Sequence, residues 1–307
     1  MKPLSVGNVV SAGLRIYRDN FKKYYRLAFI GYLWVFIPAF IVGVIGGFVG
    51  INFAQGSSDV GFSILLIAVA IVALIYGTAK FYAYQALISR LAYSETIEKP
   101  ESIQDANRHV KGRMWSFLVA ALLVSLRFFL AYILGALVIG LVIGGVTTAI
   151  WGLTAVLGDG GAIIGTILSV VLSIAVLVWF FSFLFRLFAS YSVSELLLAT
   201  QDGVTASQSL KKSRELTQGY LKNLMMIYLI ASLVSFPLWG LAYTLQMIPT
   251  FLQNTDLAVY STILTIVHLV FNFLATALII PFWQSIKAVI YYDLKVRREG
   301  LGLDLSK

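Results

Sequence analysis

LAFIGYLWVFIPAFIVGVIGGFVGINFAQGSSDVGFSILLIAVAIVALIYGTA, residues Leu27–Ala79, has no Lys or Arg and one acid, Asp59, near its middle. Phe128–Phe185 repeats that description around Asp159, and Asn223–Ile286 repeats it around Asp256. Each stretch is long enough for two spans of about 20 residues, with its charge where a tight turn would fall. The pattern predicts an all-α, polytopic membrane protein with six transmembrane helices arranged as three hairpins.

Composition agrees. The 307 residues are 59% hydrophobic and 12% charged, with a mean hydropathy of +0.88, too little polar surface for a soluble chain of this length. The formal charge of +9 would suit nucleic acid, but all 23 Lys and Arg lie outside the three apolar stretches, so topology already accounts for them and no nucleic-acid partner is expected. The positive-inside rule puts both termini and both inter-hairpin connections in the cytoplasm, with the three turn acids outside. Without cysteine the chain forms no disulfide, thiolate metal site or cysteine nucleophile. Residues 1–26 lack the apolar core and small-residue cleavage site of a signal peptide.

Those first residues read instead as an amphipathic helix capped by Ser5. Val6, Val10, Leu14, Tyr17, Phe21 and Tyr24 share one face; Arg15, Arg18, Lys22 and Arg26 share another. Such a helix either lies in the headgroup layer of an anionic leaflet or simply leads into the first span. The pattern restarts at Ser102 and again at Thr205, and a fixed offset superimposes Arg15 on Arg214, Phe21 on Tyr220, Lys23 on Lys222 and Pro38 on Pro237. The expectation is a single membrane domain, 1–307, of three repeats, 1–99, 100–202 and 203–307, each a cytoplasmic amphipathic helix followed by a hairpin. In the first span, Gly43, Gly46, Gly47 and Gly50 offer small-residue pairs for close helix contact, within the chain or with a second copy.

The even-numbered spans end on Lys80, Arg186 and Lys287, each followed closely by tyrosine, as an interfacial aromatic-basic belt requires. Arg127 has two readings: it marks the inner interface, or it is buried as a pair with Glu195. Ser261, Thr265, His268, Asn272 and Thr276 form one polar stripe along the sixth span, which either lines a solute pathway or packs on the polar residues of the fifth span.

Catalytic chemistry is not legible. Two histidines, His109 and His268, build no metal site, and no nucleophile elbow, P-loop or dinucleotide turn occurs. The interfacial acids Glu95, Glu98 and Asp105 leave room for a lipid-modifying enzyme, without a nameable site. Neither cofactor nor metal is expected.

The opening Leu4-Ser5-Val6-Gly7 and the close Tyr291-Tyr292-Asp293-Leu294-Lys295-Val296-Arg297-Arg298-Glu299-Gly300 resemble the membrane domain of some bacterial glycerophosphoryl diester phosphodiesterases, also found in stand-alone membrane proteins. The resemblance implies six helices in a bacterial inner membrane. It does not bring the phosphodiesterase activity, because the catalytic barrel of about 250 residues has no room here. The reading is a non-catalytic scaffold that organises anionic lipid or a protein partner through Arg15, Arg18, Lys22, Arg26, Lys80, Arg186 and Lys287; the alternatives are a transporter or channel using the stripe and, more weakly, a lipid-modifying enzyme.

Overall fold

The computed structural model describes residues 4–54, 60–252 and 258–299, and among them the chain is helical with no strand. The elements run α1 (Val6–Asp19), α2 (Phe21–Ala54), α3 (Val60–Thr96), α4 (Ile103–Lys111), α5 (Met114–Thr154), α6 (Gly158–Tyr191), α7 (Ser194–Thr200), α8 (Ala206–Thr217), α9 (Leu221–Leu252) and α10 (Ser261–Glu299). Among the described residues, five stretches are long and apolar enough to cross a membrane: Phe21–Asn52, Gly61–Thr96, Met114–Thr200, Leu221–Leu252 and Ser261–Arg298. This is a multi-pass membrane architecture. The third stretch holds α5, α6 and α7 and is interrupted after a short 3-10 turn by Gly158, whose φ of 63° a side chain would resist. Asp159 follows in the first turn of α6, where the helix dipole favours an acid. The turns expected at Asp59 and Asp256 lie outside the described residues.

Three short helices begin where the sequence spacing places their caps. The side chains of Ser5, Ser102 and Thr205 accept from the backbone N–H of Asn8, Asp105 and Gln208, and Gln208 returns the bond to complete a capping box.

Helix lengths explain where the core forms. At about 1.5 Å per residue, the 37 residues of α3 and 39 of α10 reach well beyond the roughly 30 Å of a hydrocarbon layer. Their surplus turns, on the end that carries Lys and Arg, bury Leu87, Ile88, Leu91, Ile286, Ile290 and Tyr291 together with α1, α4, α8 and the ends of α5, α6 and α9. At the centre sits α7, with Leu196, Leu197 and Leu198 almost fully enclosed. Each such side chain contributes about 1.5–3 kcal/mol relative to exposure in water. The opposite halves of the long helices keep their apolar side chains outward; only 6% of the most apolar window of the α5–α6 stretch is buried. Lipid solvates those side chains, so they need no protein partner.

Close contacts fall on other glycines than the sequence suggests. Gly43, Gly46, Gly47 and Gly50 have open space where a side chain would grow, so within the chain they mediate no packing. Instead, a Cβ on Gly77 of α3 would lie 1.9 Å from the Trp34 carbonyl of α2, the same carbonyl that Pro38 leaves without its N–H donor four residues on. Gly13 meets Ile286, Gly31 meets Tyr84 and Gly135 meets Phe180 in the same way. The α1 face also departs from expectation. Val9, Val10, Gly13 and Tyr17 are buried; Gly13 and Tyr17 pack on Ile286 and Phe282 of α10, so that face lies on protein, while Leu14 and Phe21 remain exposed. Tyr17 donates its hydroxyl to the Leu278 carbonyl at 2.8 Å, beside the turn that Pro281 opens. Burial, and secondarily Tyr25, raises the pKa of Tyr17 above the ordinary phenol value.

A candidate anionic-headgroup groove on the basic end

Three helices each contribute one stripe to a common surface. Lys22, Arg26 and Ile30 recur four apart on α2; Lys80, Tyr84 and Leu87 follow at four and three on α3; Ile103, Asn107 and Lys111 recur four apart on α4. The stripes enclose two adjoining hollows of about 510 and 210 Å³ that share Tyr84, Leu87 and Asn107. Lys22, Lys23 and Arg26 line the larger, Lys80 and Lys111 the smaller, and no acid lines either among the described residues. The nearest compensation is Glu95, 3.6 Å from Lys23. Lys80 also stands over the rings of Trp34 and Tyr76, at 5.7 and 5.5 Å, which fixes it where the apolar run ends.

The position of α4 is set by a charge pair inside its connection to α3. Arg90 donates two bonds to Glu101, at 2.8 and 3.0 Å, and a third to the Ala199 carbonyl at 2.6 Å. Arg113 donates to the carbonyls of Leu198 and Gln201, at 2.7 and 2.8 Å, and to that of Val204. Two guanidinium groups thus satisfy the carbonyls at and after the C-terminus of α7, where the dipole favours positive charge. This clamp holds α4 and α7 on the same core, and with them one wall of the groove.

Of the seven residues expected at the interface, the structure brings Lys22, Arg26 and Lys80 together and adds Lys23 and Lys111. Arg15 and Arg18 are exposed on α1, where Arg18 pairs with Asp19 at 3.0 Å, and Arg186 is exposed near the end of α6. Lys287 lies elsewhere, 3.3 Å from Glu195. Glu195 therefore takes Lys287 as its partner and not Arg127, whose guanidinium stands 5.1 Å from the Tyr191 ring centre. The stripe on α10 is resolved more locally. Thr265 donates to the Ser261 carbonyl at 2.8 Å, and on α9 Ser232, Ser235 and Thr244 donate to carbonyls three or four residues back. Such back-bonding satisfies a hydroxyl in lipid without a second helix or water. His268 is half-buried, with Nδ1 enclosed and without a hydrogen-bond partner.

The sequence reading missed a buried polar chain between α3 and α10. Ser89 donates to Gln284 at 2.6 Å, and Gln284 donates to Gln85 at 2.7 Å. The signal was present, since Gln85 and Ser89 are four apart in the same post-membrane segment that carries Arg90. The residues before α1 also meet α10: the Leu4 N–H donates to Asp293 at 2.8 Å, and Arg297 bonds both Asp293 and the Leu4 carbonyl, at 2.6 and 3.0 Å. Leu4–Gly7 and the end of α10 are thus two halves of one latch. Tyr291 of the closing motif is buried and accepts from Thr200 and Gln201.

No group of three or more potential ligands that could hold a metal occurs among the described residues. Glu95 pairs with Lys23 and Asp105 accepts from the Ser102 hydroxyl, while Glu98 follows α3 with a backbone φ of 57°. These features define a helical multi-pass membrane protein with its packed core and its charge at one end. The chain matches no protein-family model, no curated protein and no solved structure.

Proposed function

We propose that this chain is a non-catalytic, six-span inner-membrane protein, with both ends cytoplasmic, that holds anionic lipid in the basic groove and so organises the membrane or a partner at its cytoplasmic face. The observation that carries the reading is the convergence of Lys22, Lys23, Arg26, Lys80 and Lys111 around the apolar floor of Leu27, Ile30 and Leu87. Phosphate meets the cations while glycerol and acyl carbons meet the floor, and each basic residue near an anionic surface contributes about 1 kcal/mol. The lengths of α2, α3, α5, α6, α9 and α10, each longer than the roughly 20 residues a crossing needs, support the six-span reading. The distribution of Lys and Arg supports the orientation. The family resemblance carried by Leu4–Gly7 and by residues 291–300 supports a bacterial inner membrane, and the caps at Ser5, Ser102 and Thr205 support three repeats.

The test is the variant Lys22→Gln/Arg26→Gln/Lys111→Gln, purified in detergent with phosphatidylglycerol added and examined by native mass spectrometry. Retained phosphatidylglycerol falls by at least about tenfold if the groove is the site, given three lost charges. Retention equal to that of the unaltered protein, with helicity intact by circular dichroism, would sink the reading.

A further inference from the structure

A separate cavity of about 180 Å³ lies between α3, α5, α6, α7 and α10. Its walls are largely apolar, formed by Phe117, Val124, Phe128 and Phe188; its charged part is the Glu195–Lys287 pair, with the hydroxyls of Tyr82, Ser125, Tyr191, Ser192 and Ser194 completing the polar lining. The cavity reaches Ser125, an exposed residue beside Leu122, Leu126 and Phe129 on the outward apolar surface of α5. An occupant therefore comes from the lipid side and brings hydrocarbon with it.

The ion pair is incomplete. At 3.3 Å the Lys287–Glu195 bond is long for a charge-assisted hydrogen bond, and the second carboxylate oxygen, Oε1, is enclosed without any hydrogen-bond partner. None of the lining hydroxyls bonds that oxygen, and a carboxylate oxygen enclosed away from water needs a donor. Rotation about the terminal torsion of Glu195, which is soft, turns that oxygen toward the cavity. Lys287 has three N–H donors and spends one on Glu195. Beyond the pair stands Arg127 over Tyr191, with Nη1 also enclosed and without a partner. The surroundings thus ask for one donor at Glu195 and an acceptor at Lys287, joined to an apolar tail.

We propose that this cavity seats the headgroup of an aminophospholipid, its primary ammonium donating to Glu195 and its phosphate accepting from Lys287. A primary ammonium carries the N–H donors that Glu195 lacks, whereas the quaternary ammonium of phosphatidylcholine carries none. The site is independent of the basic groove, and the two stand or fall separately.

The experiment is native mass spectrometry of the full-length protein with phosphatidylethanolamine and phosphatidylcholine of identical acyl chains in equal amounts. The expected result is retention of phosphatidylethanolamine over phosphatidylcholine by about tenfold, the ratio that one charge-assisted hydrogen bond sustains. Glu195→Gln brings the ratio near one. Ala121→Phe, which fills the cavity and leaves the ion pair in place, does the same and guards against a folding defect in the first variant. The groove variant of the preceding section loses phosphatidylglycerol but keeps the ethanolamine preference. Equal retention of the two lipids by the unaltered protein, or an undiminished preference in both cavity variants, overturns the proposal. Displacement of the bound lipid by free phosphoethanolamine overturns its assignment to a lipid.

Discussion

Replacing Gly77 by alanine tests the packing logic of the membrane part at one atom. A methyl there would lie 1.9 Å from the Trp34 carbonyl oxygen and 3.2 Å from Cγ of Pro38. Because real side-chain contacts essentially never fall below 3.0 Å, α2 and α3 must part by about 1 Å or more, and overpacking of this kind costs about 1–3 kcal/mol. The obstacle is backbone, not the tip of a flexible side chain, so rotamer changes cannot relieve it. Gly46→Ala is the matched control: the same methyl on α2 meets nothing within 4 Å. Both variants are followed by thermal unfolding in detergent, read from intrinsic fluorescence and from loss of the monodisperse peak. Gly77→Ala melts several degrees below the unaltered protein, and Gly46→Ala melts with it. Equal melting of the two alanine variants would refute the claim that Gly77 exists to admit the Trp34 carbonyl.

Gln284→Leu strips the buried chain of its central member and leaves Ser89 and Gln85 without their partner, for a loss of about 1–3 kcal/mol; Ser89→Ala/Gln85→Leu/Gln284→Leu recovers part of it, and chemical denaturation in detergent separates the two. The raised pKa of Tyr17 means the folded state favours its neutral phenol, so this contribution to stability is fully present below the ordinary phenol value of about 10 and is lost as pH rises above it. Tyr17→Phe is accordingly slightly less stable at neutral pH, having lost the Leu278 bond, yet declines less steeply in melting scans taken above about pH 10. Single cysteines at Thr265 and Asn272, in a chain with no native cysteine, stay unlabelled by a membrane-impermeant thiol reagent from either side, while one at Leu157 in the turn between α5 and α6 is labelled from one side only; labelling at 265 and 272 would instead mark a water-filled path along α10.

The long helices were legible because lipid-exposed sequence needs only length and apolarity, and Leu27–Ala79 has both. The caps at Ser5, Ser102 and Thr205 were legible because a hydroxyl before a helix has one local partner to find. For the polar stripe, periodicity reports which residues share a face and not what satisfies them: Thr265 bonds along its own helix, whereas His268 keeps an enclosed Nδ1 without a partner. A small residue permits close approach without causing it: within the chain, Gly77 admits the Trp34 carbonyl that Pro38 frees, while Gly46 meets nothing. Burial of α7 and its clamp by Arg90 and Arg113 had no sequence signal at all, since the partners are about 85 to 109 residues apart and one side of every bond is backbone. The groove lay between these cases. Lys22, Arg26 and Lys80 were named from sequence; Lys23 and Lys111 join them because the Arg90–Glu101 pair and the Arg113 bonds hold α4 and α7 on one core.

The most direct measurement of the central claim is a single-particle structure of the protein in nanodiscs rich in phosphatidylglycerol. Lipid density is expected in the groove, with its phosphate within hydrogen-bond distance of Lys22, Arg26 or Lys111 and its chains running along Ile30 toward the membrane. A groove empty of lipid at a resolution that shows annular lipid elsewhere, or one filled by the chain itself, would contradict it.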